Sequence, residues 1–188
     1  MVDAVAIEPI PVDDADDVAG RMPWRQPNRH LERAAAQEAR LGLYLVAWRD
    51  GEPVGHSFVK WPGSLSSRHA REEGCVEIED LFVSPEDRDE GIGGALLEAS
   101  EDVARRRRFE TIGLAVALEN DGARRLYERH GYEDAGHGTF TLRWMSLDDD
   151  GVERTWREQC TYLVKTLYGC TRRSSGSPST RRSTGSAA

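Results

Sequence analysis

Three glycines stand where an extended run gives way to a helical one. The segment Val83-Ser84-Pro85-Glu86-Asp87-Arg88-Asp89-Glu90-Gly91-Ile92-Gly93-Gly94-Ala95-Leu96-Leu97 ends a strand, turns, and opens an amphipathic helix. Glycine tolerates unusual φ and lets a ligand approach the backbone. The first N–H groups of a helix lack internal partners and carry the positive end of its dipole. Together these features make a cradle for an anion such as phosphate. A Walker loop would need G-x-x-x-x-G-K-[ST], and this segment has no lysine; a dinucleotide fingerprint starting at Gly91 would need glycine where Leu96 stands. The same glycines equally suit a helix packed closely on a sheet.

Two further groups of residues could do chemistry. The run Val76 to Val83 carries Glu77, Glu79 and Asp80, carboxylates able to take a proton or hold a cation. Strict alternation puts Glu77, Glu79, Leu81 and Val83 on one face and Ile78, Asp80 and Phe82 on the other, and a bulge would break that parity. In Asn120-Asp121-Gly122-Ala123-Arg124-Arg125-Leu126-Tyr127-Glu128-Arg129-His130-Gly131-Tyr132, the residues Ala123, Leu126, Tyr127 and His130 fall at helical spacings. Tyr127 thus lies near the core-facing stripe, its hydroxyl either emerging where two elements meet or bonded to backbone.

The elements that must position these groups can be read along the chain. Val5 to Ile10 is a strand, followed by an acidic run in which Asp13 is suited to cap a helix. His30 to Leu41 is a helix with Gly42 as its stop. Leu43 to Trp48 and Val54 to Trp61 are strands joined by the hairpin signal Asp50-Gly51. Pro62 to Gly74 reads as a polar loop. Val76 to Val83 is a strand, Gly91 to Arg107 a helix, and Thr111 to Leu118 a strand covered on both faces. Asn120 to His130 is a helix with an asparagine cap and Gly131 just past its end. Phe140 to Leu147 and Thr155 to Leu167 form a long hairpin about Asp148-Asp149-Asp150-Gly151. This order is mixed α/β.

Residues 76–132 resemble the GNAT N-acetyltransferase superfamily. Arg88-x-x-Gly91-x-Gly93, within the frame of Val83, Pro85 and Arg88, is similar to its acetyl-CoA signature, and Asn120-x-x-Ala123-x-x-Leu126-Tyr127 with Gly131-Tyr132 to its second block. The resemblance implies a central mixed, mostly antiparallel twisted sheet flanked by helices and acetyl-CoA as co-substrate; the scattered histidines imply no metal. The backbone of Leu81, Phe82 and Val83 would pair with pantetheine like an added strand. Arg88, Asp89, Glu90, Gly91, Ile92, Gly93 and Gly94 would hold the pyrophosphate, Asn120 would bond to the pantetheine arm, and Tyr127 would protonate the departing thiolate. Asp89 stands where the family usually has glycine, and a carboxylate beside a pyrophosphate is adverse unless it points to solvent. The stretch Ile78 to Val83 also looks like that of spermidine/spermine N-acetyltransferases, which implies Glu79 as the base, direct or through water, and Asp80 as an amine-binding residue.

An amine with a reference pKa of about 10.4 must lose a proton to attack, and a thiolate of about 8.5 is protonated by tyrosine at about 10 only slightly uphill. Trp24, Trp61 and Trp144 could wall an amine site by cation–π contact, with packing the favoured role for Trp61 and Trp144. His56, His69 and His137 are scattered without metal-ligand spacing, and Cys160 reads as a small buried hydrophobe. The leading reading is an N-acetyltransferase for a small primary amine (polyamine-, aminoglycoside- or amino-acid-like). The alternatives are acetylation of a protein lysine or amino terminus, and a non-catalytic CoA-responsive module.

Composition supports that choice of partners. The 188 residues carry a net charge of −8. Residues 171–188 hold four arginines and no acid, leaving 21 bases against 33 acids over residues 1–170. An acidic body repels nucleic acid and attracts amines within about a Debye length. Residues 1–170 form the expected single domain, and the Ser-, Thr-, Gly- and Arg-rich tail 171–188 is too polar to bury a core. The apolar runs fall far short of the ~20 residues of a membrane span. Cys75, Cys160 and Cys170 are odd in number and without C-x-x-C spacing, and no export signal is visible, so the cytoplasm is the expected location. The sequence leaves oligomeric state open, a homodimer included.

Overall fold

The computed structural model describes residues 5–22, 28–63, 66–147 and 152–168. Its strands are β1 (Ala6–Pro9), β2 (Gly42–Arg49), β3 (Glu52–Lys60), β4 (Val76–Val83), β5 (Thr111–Ala117), β6 (Glu133–Asp134), β7 (Phe140–Leu147) and β8 (Glu153–Thr166). The helices are α1 (Ala15–Arg21), α2 (Arg29–Glu38), α3 (Arg68–Glu73), α4 (Ile92–Arg106) and α5 (Asp121–Arg129). The strands make one sheet in the order β1-β2-β3-β4-β5-β8-β6, with β7 also paired to β8. Among the described residues only β4 and β5 run parallel, and the other pairings are antiparallel. This is the mixed, mostly antiparallel sheet that the sequence leads one to expect. Among the described residues no helix is long and apolar enough to cross a membrane.

Helices cover both faces. Against one face, α4 and α5 bury Ile78, Leu97, Val103, Ile112, Leu114, Tyr127 and Leu163 in a single cluster. On the other, α1 and α2 close over Tyr44, Val46 and Phe58, while Ala70 of α3 packs with Cys75 and Tyr162. Cys160 is buried, as its sequence context suggests.

Several local expectations are corrected. Gly42 does not stop α2. Arg40 takes the left-handed conformation instead (φ 59°), and the Leu41 N–H reaches back to the Ala36 carbonyl at 2.9 Å. Gly42 begins β2, where a Cβ would fall 2.4 Å from the Phe58 ring; close packing, not turning, demands glycine there. Asp13 caps nothing: Val12–Asp14 form a 3-10 turn and α1 starts without a side-chain cap. The stretch expected as a loop contains α3, capped by the Ser67 hydroxyl accepting from the Ala70 N–H at 3.0 Å and closed by left-handed Gly74. Six residues with one buried position give no readable periodicity. The two-residue strand β6 also escaped the sequence. The turn Asp148 to Gly151, Cys170 and the tail lie outside the described residues.

The hairpin turn follows its sequence signal, with Asp50 and Gly51 both at positive φ (53° and 80°) as a type I′ turn requires. Beneath α2, His56 lies 1% exposed among the rings of His30, Tyr44 and Phe82. Burial, reinforced by the neighbouring His30, pushes its imidazole down to about 3. The unfolded chain binds a proton at this ring below about pH 6.5, and the folded one resists until near pH 3. Stability therefore falls as pH drops through that window. Replacing His56 with Phe is expected to shrink the loss of urea midpoint between pH 7 and 4.5 relative to the parent chain.

Candidate active site

The parallel pairing of β4 with β5 covers Val76, Ile78 and their partners Ile112 and Leu114, and goes no further. Beyond it, β5 follows β8 to Ala117↔Cys160, while β4 follows β3 to Val83↔Gly55. The two strands part, opening a notch beside the half-buried residues Leu81, Phe82 and Val83. A strand that parts from its parallel partner can take an extended, amide-bearing ligand along the divergence.

The turn into α4 lies at the end of β4. Gly91 has φ 86° and a Cβ there would meet nothing within 4 Å, so its backbone faces open space. No side chain caps α4. The first-turn amides at Ile92, Gly93 and Gly94 thus carry the positive end of a 15-residue helix, with no side-chain acceptor among the described residues. This arrangement fits a diphosphate. Gly93 and Gly94 also serve packing: added Cβ atoms would lie 3.2 Å from Leu126 and 3.1 Å from the His130 ring, both at α5. Of the two sequence readings of the glycine run, close packing of the helix thus applies at Gly93 and Gly94, while Gly91 is left open. Asp89, exposed, occupies the left-handed region (φ 65°), which explains why glycine suits this position. The Arg88 Nε donates to the Val83 carbonyl at 3.3 Å.

Asn120 caps α5, its Oδ1 accepting from the Ala123 N–H at 3.1 Å, which leaves its side-chain NH2 as the group it can offer a ligand. Tyr127 belongs to the apolar cluster of Ile78, Leu114 and Val116, the strand residues flanking the divergence. Burial pushes its phenol up to about 12.

The acids sit across the sheet. Pairing between β3 and β4 slips between His56 and Phe58, so that β4 holds one extra residue between Glu79 and Phe82. Asp80, at φ 53°, absorbs it. The alternation expected from the sequence is corrected accordingly: Asp80 turns to the α2 face with Glu79, while Leu81 and Val83 pack on the α4 side. Arg29 donates Nε to Asp80 Oδ2 at 2.9 Å and its other nitrogen to Oδ1 at 3.0 Å; Arg33 Nε donates to Oδ2 at 2.6 Å. Burial raises the Asp80 carboxyl, but the two guanidinium groups outweigh it and hold it below its ordinary value. An amine contact at Asp80, as expected from the sequence, would have to displace these arginines. Glu79 pairs with Arg33 at 2.9 Å and with Lys60, which also bridges to buried Glu77 at 2.8 Å. The Arg33 guanidinium further rests 4.6 Å from the Phe58 ring centre. Lys60, Arg29 and Arg33 went unread in the sequence because they stand 17 to 51 residues from their acids.

The remaining candidates are dispersed. Trp24 lies outside the described residues. Trp61 stacks on Phe109 with Arg107 over its face, and Trp144 faces Trp156 across the β7–β8 ladder. His69 and His137, far apart in sequence, meet with ring centres 5.1 Å apart, and His137 bonds Glu73 at 2.8 Å. Among the described residues no group of three or more such side chains could hold a metal ion.

Comparison with known proteins agrees with this geometry. The chain is 34% identical over 95 residues to an uncharacterized N-acetyltransferase of Methanocaldococcus jannaschii, covering 48% of this chain and 39% of that one. It is 34% identical over 115 residues to an uncharacterized N-acetyltransferase of Bacillus subtilis, covering 59% of this chain and 74% of that one. The match thus spans well under half the length of the first relative. Among solved structures, yncA of Salmonella typhimurium with its cofactor acetyl-CoA superposes with a TM-score of 0.62 at 16% identity, over 92% of this chain and 99% of that one. A model of the acetyltransferase (GNAT) family matches residues 11–132, and with the notch between β4 and β5 and the uncapped turn of α4 on its frame, the chain belongs to that family.

Proposed function

We propose that the chain transfers the acetyl group of acetyl-CoA to a primary amine of a small molecule. The observation that carries this reading is the placement of an open, uncapped helix N-terminus at Gly91 beside a half-buried strand edge at Leu81, Phe82 and Val83. The first suits a diphosphate and the second an extended amide-bearing arm. Arg88 to Gly94 hold the diphosphate, and the Asn120 side-chain NH2 reaches the arm. The similar yncA structure was determined with acetyl-CoA, which supports this choice of donor.

The opposed faces of the sheet supply the two proton-handling groups. Tyr127, in the α5-side core, donates its proton to the departing thiolate. Glu79, on the α2 side, accepts the amine proton through a water; its two oxygens bond Lys60 and Arg33, and each retains a lone pair. Separation of acid and base across the sheet lets the amine approach opposite the leaving sulfur. With Asp80 neutralised by Arg29 and Arg33, a polyamine has lost the contact that favoured it, and a singly charged amine is the better match.

A thiol-release assay with acetyl-CoA against amines, aminoglycosides, amino-acid derivatives and peptides tests the proposal. Amine-dependent release is expected with a small molecule; release with peptides alone would move the activity to protein amino groups, and no heat on titrating acetyl-CoA would end the donor assignment. Tyr127→Phe is expected to lower kcat at least about tenfold while leaving the acetyl-CoA Kd within about twofold. Because the phenol keeps its proton to about 12, Tyr127 should impose no falling limb on kcat between pH 7 and 10. Asp89→Gly removes a left-handed carboxylate beside the diphosphate and should tighten acetyl-CoA binding by about threefold or more, read by calorimetry at low salt.

A further inference from the structure

The turn that would take the diphosphate is itself acidic. Between Pro85 and Gly91 stand Glu86, Asp87, Asp89 and Glu90 against the single base Arg88. Four carboxylates within a few residues of an anion site repel what the helix amides attract, an effect felt over a Debye length of about 8 Å in physiological salt. A bare loop of this composition is a poor holder of an anion.

Arg49 answers that repulsion from another strand. It is the last residue of β2, and its guanidinium closes on two of the four acids, Asp87 and Glu90, one through each terminal nitrogen. These acids flank the stretch Arg88–Asp89 and lead directly into Gly91. Asp87 has only 12% of its side chain exposed, so without Arg49 it would be a nearly buried charge lacking this partner. Arg49 is itself held in place: it pairs with Glu52 across the Asp50-Gly51 turn, and Arg21 grips the same turn through Glu52 and the Gly51 carbonyl.

We infer that Arg49 is a positioning residue for the acetyl donor: it cancels the charge of Asp87 and Glu90, so that the amides at the start of α4 present a net attraction to the diphosphate. The inference rests on the donor site proposed above and adds to it a residue outside every stretch of the glycine motif, 42 positions before Gly91. Arg49 touches neither reacting atom, so its effect belongs to donor affinity and not to the chemical step.

Arg49→Met is expected to raise the acetyl-CoA Kd and KM at least tenfold with kcat within threefold. Added NaCl, from 50 to 300 mM, should narrow the gap to the parent chain by screening the uncovered carboxylates. The neutral combination R49M/D87N/E90Q should restore Kd to within threefold of the parent. Glu90→Gln alone, at a half-exposed position that does not endanger folding, leaves Arg49 with surplus charge and should tighten binding at low salt. A Kd for Arg49→Met within twofold of the parent overturns the inference. So does a triple variant as weak as Arg49→Met, which would mean that the arginine only shapes the loop, and so does weaker binding by Glu90→Gln. Absence of acetyl-CoA binding by the parent chain is a separate result, and it would remove the donor site itself.

Discussion

One extra residue in β4 governs the site. Asp80 adopts a left-handed backbone and turns its carboxylate onto the same face as Glu79, a conformation that costs free energy for a non-glycine residue. Arg29 and Arg33 of α2 hold it there through both carboxylate oxygens. The bulge follows directly on the last residues of β4 that pair with β5, so the strand stops tracking its parallel neighbour as its own alternation is reset. From this follow the notch, the outward edge of Leu81 to Val83, and the placing of Glu79 and Tyr127 on opposite faces of the sheet. An ion pair between α2 and β4 thus does more here than add stability, since paired buried charges contribute little net stability and considerable geometric definition.

Electrostatics in this chain is mostly internal. The net charge of −8 suggests an acidic surface waiting for a cation, yet five acids around the site are already matched. Glu77, Glu79 and Asp80 meet Lys60, Arg33 and Arg29; Asp87 and Glu90 meet Arg49. Away from the site, Glu101, 2% exposed, accepts from Lys165 and Arg105. An acidic protein can accommodate a highly anionic donor when carboxylates are cancelled locally, because short-range pairing outweighs a screened net charge.

Glycine shows how one residue type serves distinct physical ends within four positions. Gly91 supplies a backbone conformation and open space, while Gly93 and Gly94 supply the absence of a Cβ against α5. A pattern of spacing cannot separate these uses, since both leave the same letter in the chain. Gly42 makes the same point from the other side: its place after a helix looks like a stop, and its actual constraint is the Phe58 ring on the neighbouring strand.

By itself the sequence determined the features that depend on a few neighbouring residues. The I′ turn at Asp50-Gly51, the asparagine cap of α5, the glycine opening of α4 and the strand or helix character of the long segments all follow from local backbone preference and side-chain period. Family resemblance drew on the same local spacings. Only the tertiary structure decided which acids are free: Arg29, Arg33, Lys60 and Arg49 come from other elements, and no spacing along the chain encodes contacts made across 17 to 51 residues. The parity of β4 was likewise open until packing chose it, because a bulge is set by the partner strand and the helix above it and leaves no mark in the residue pattern.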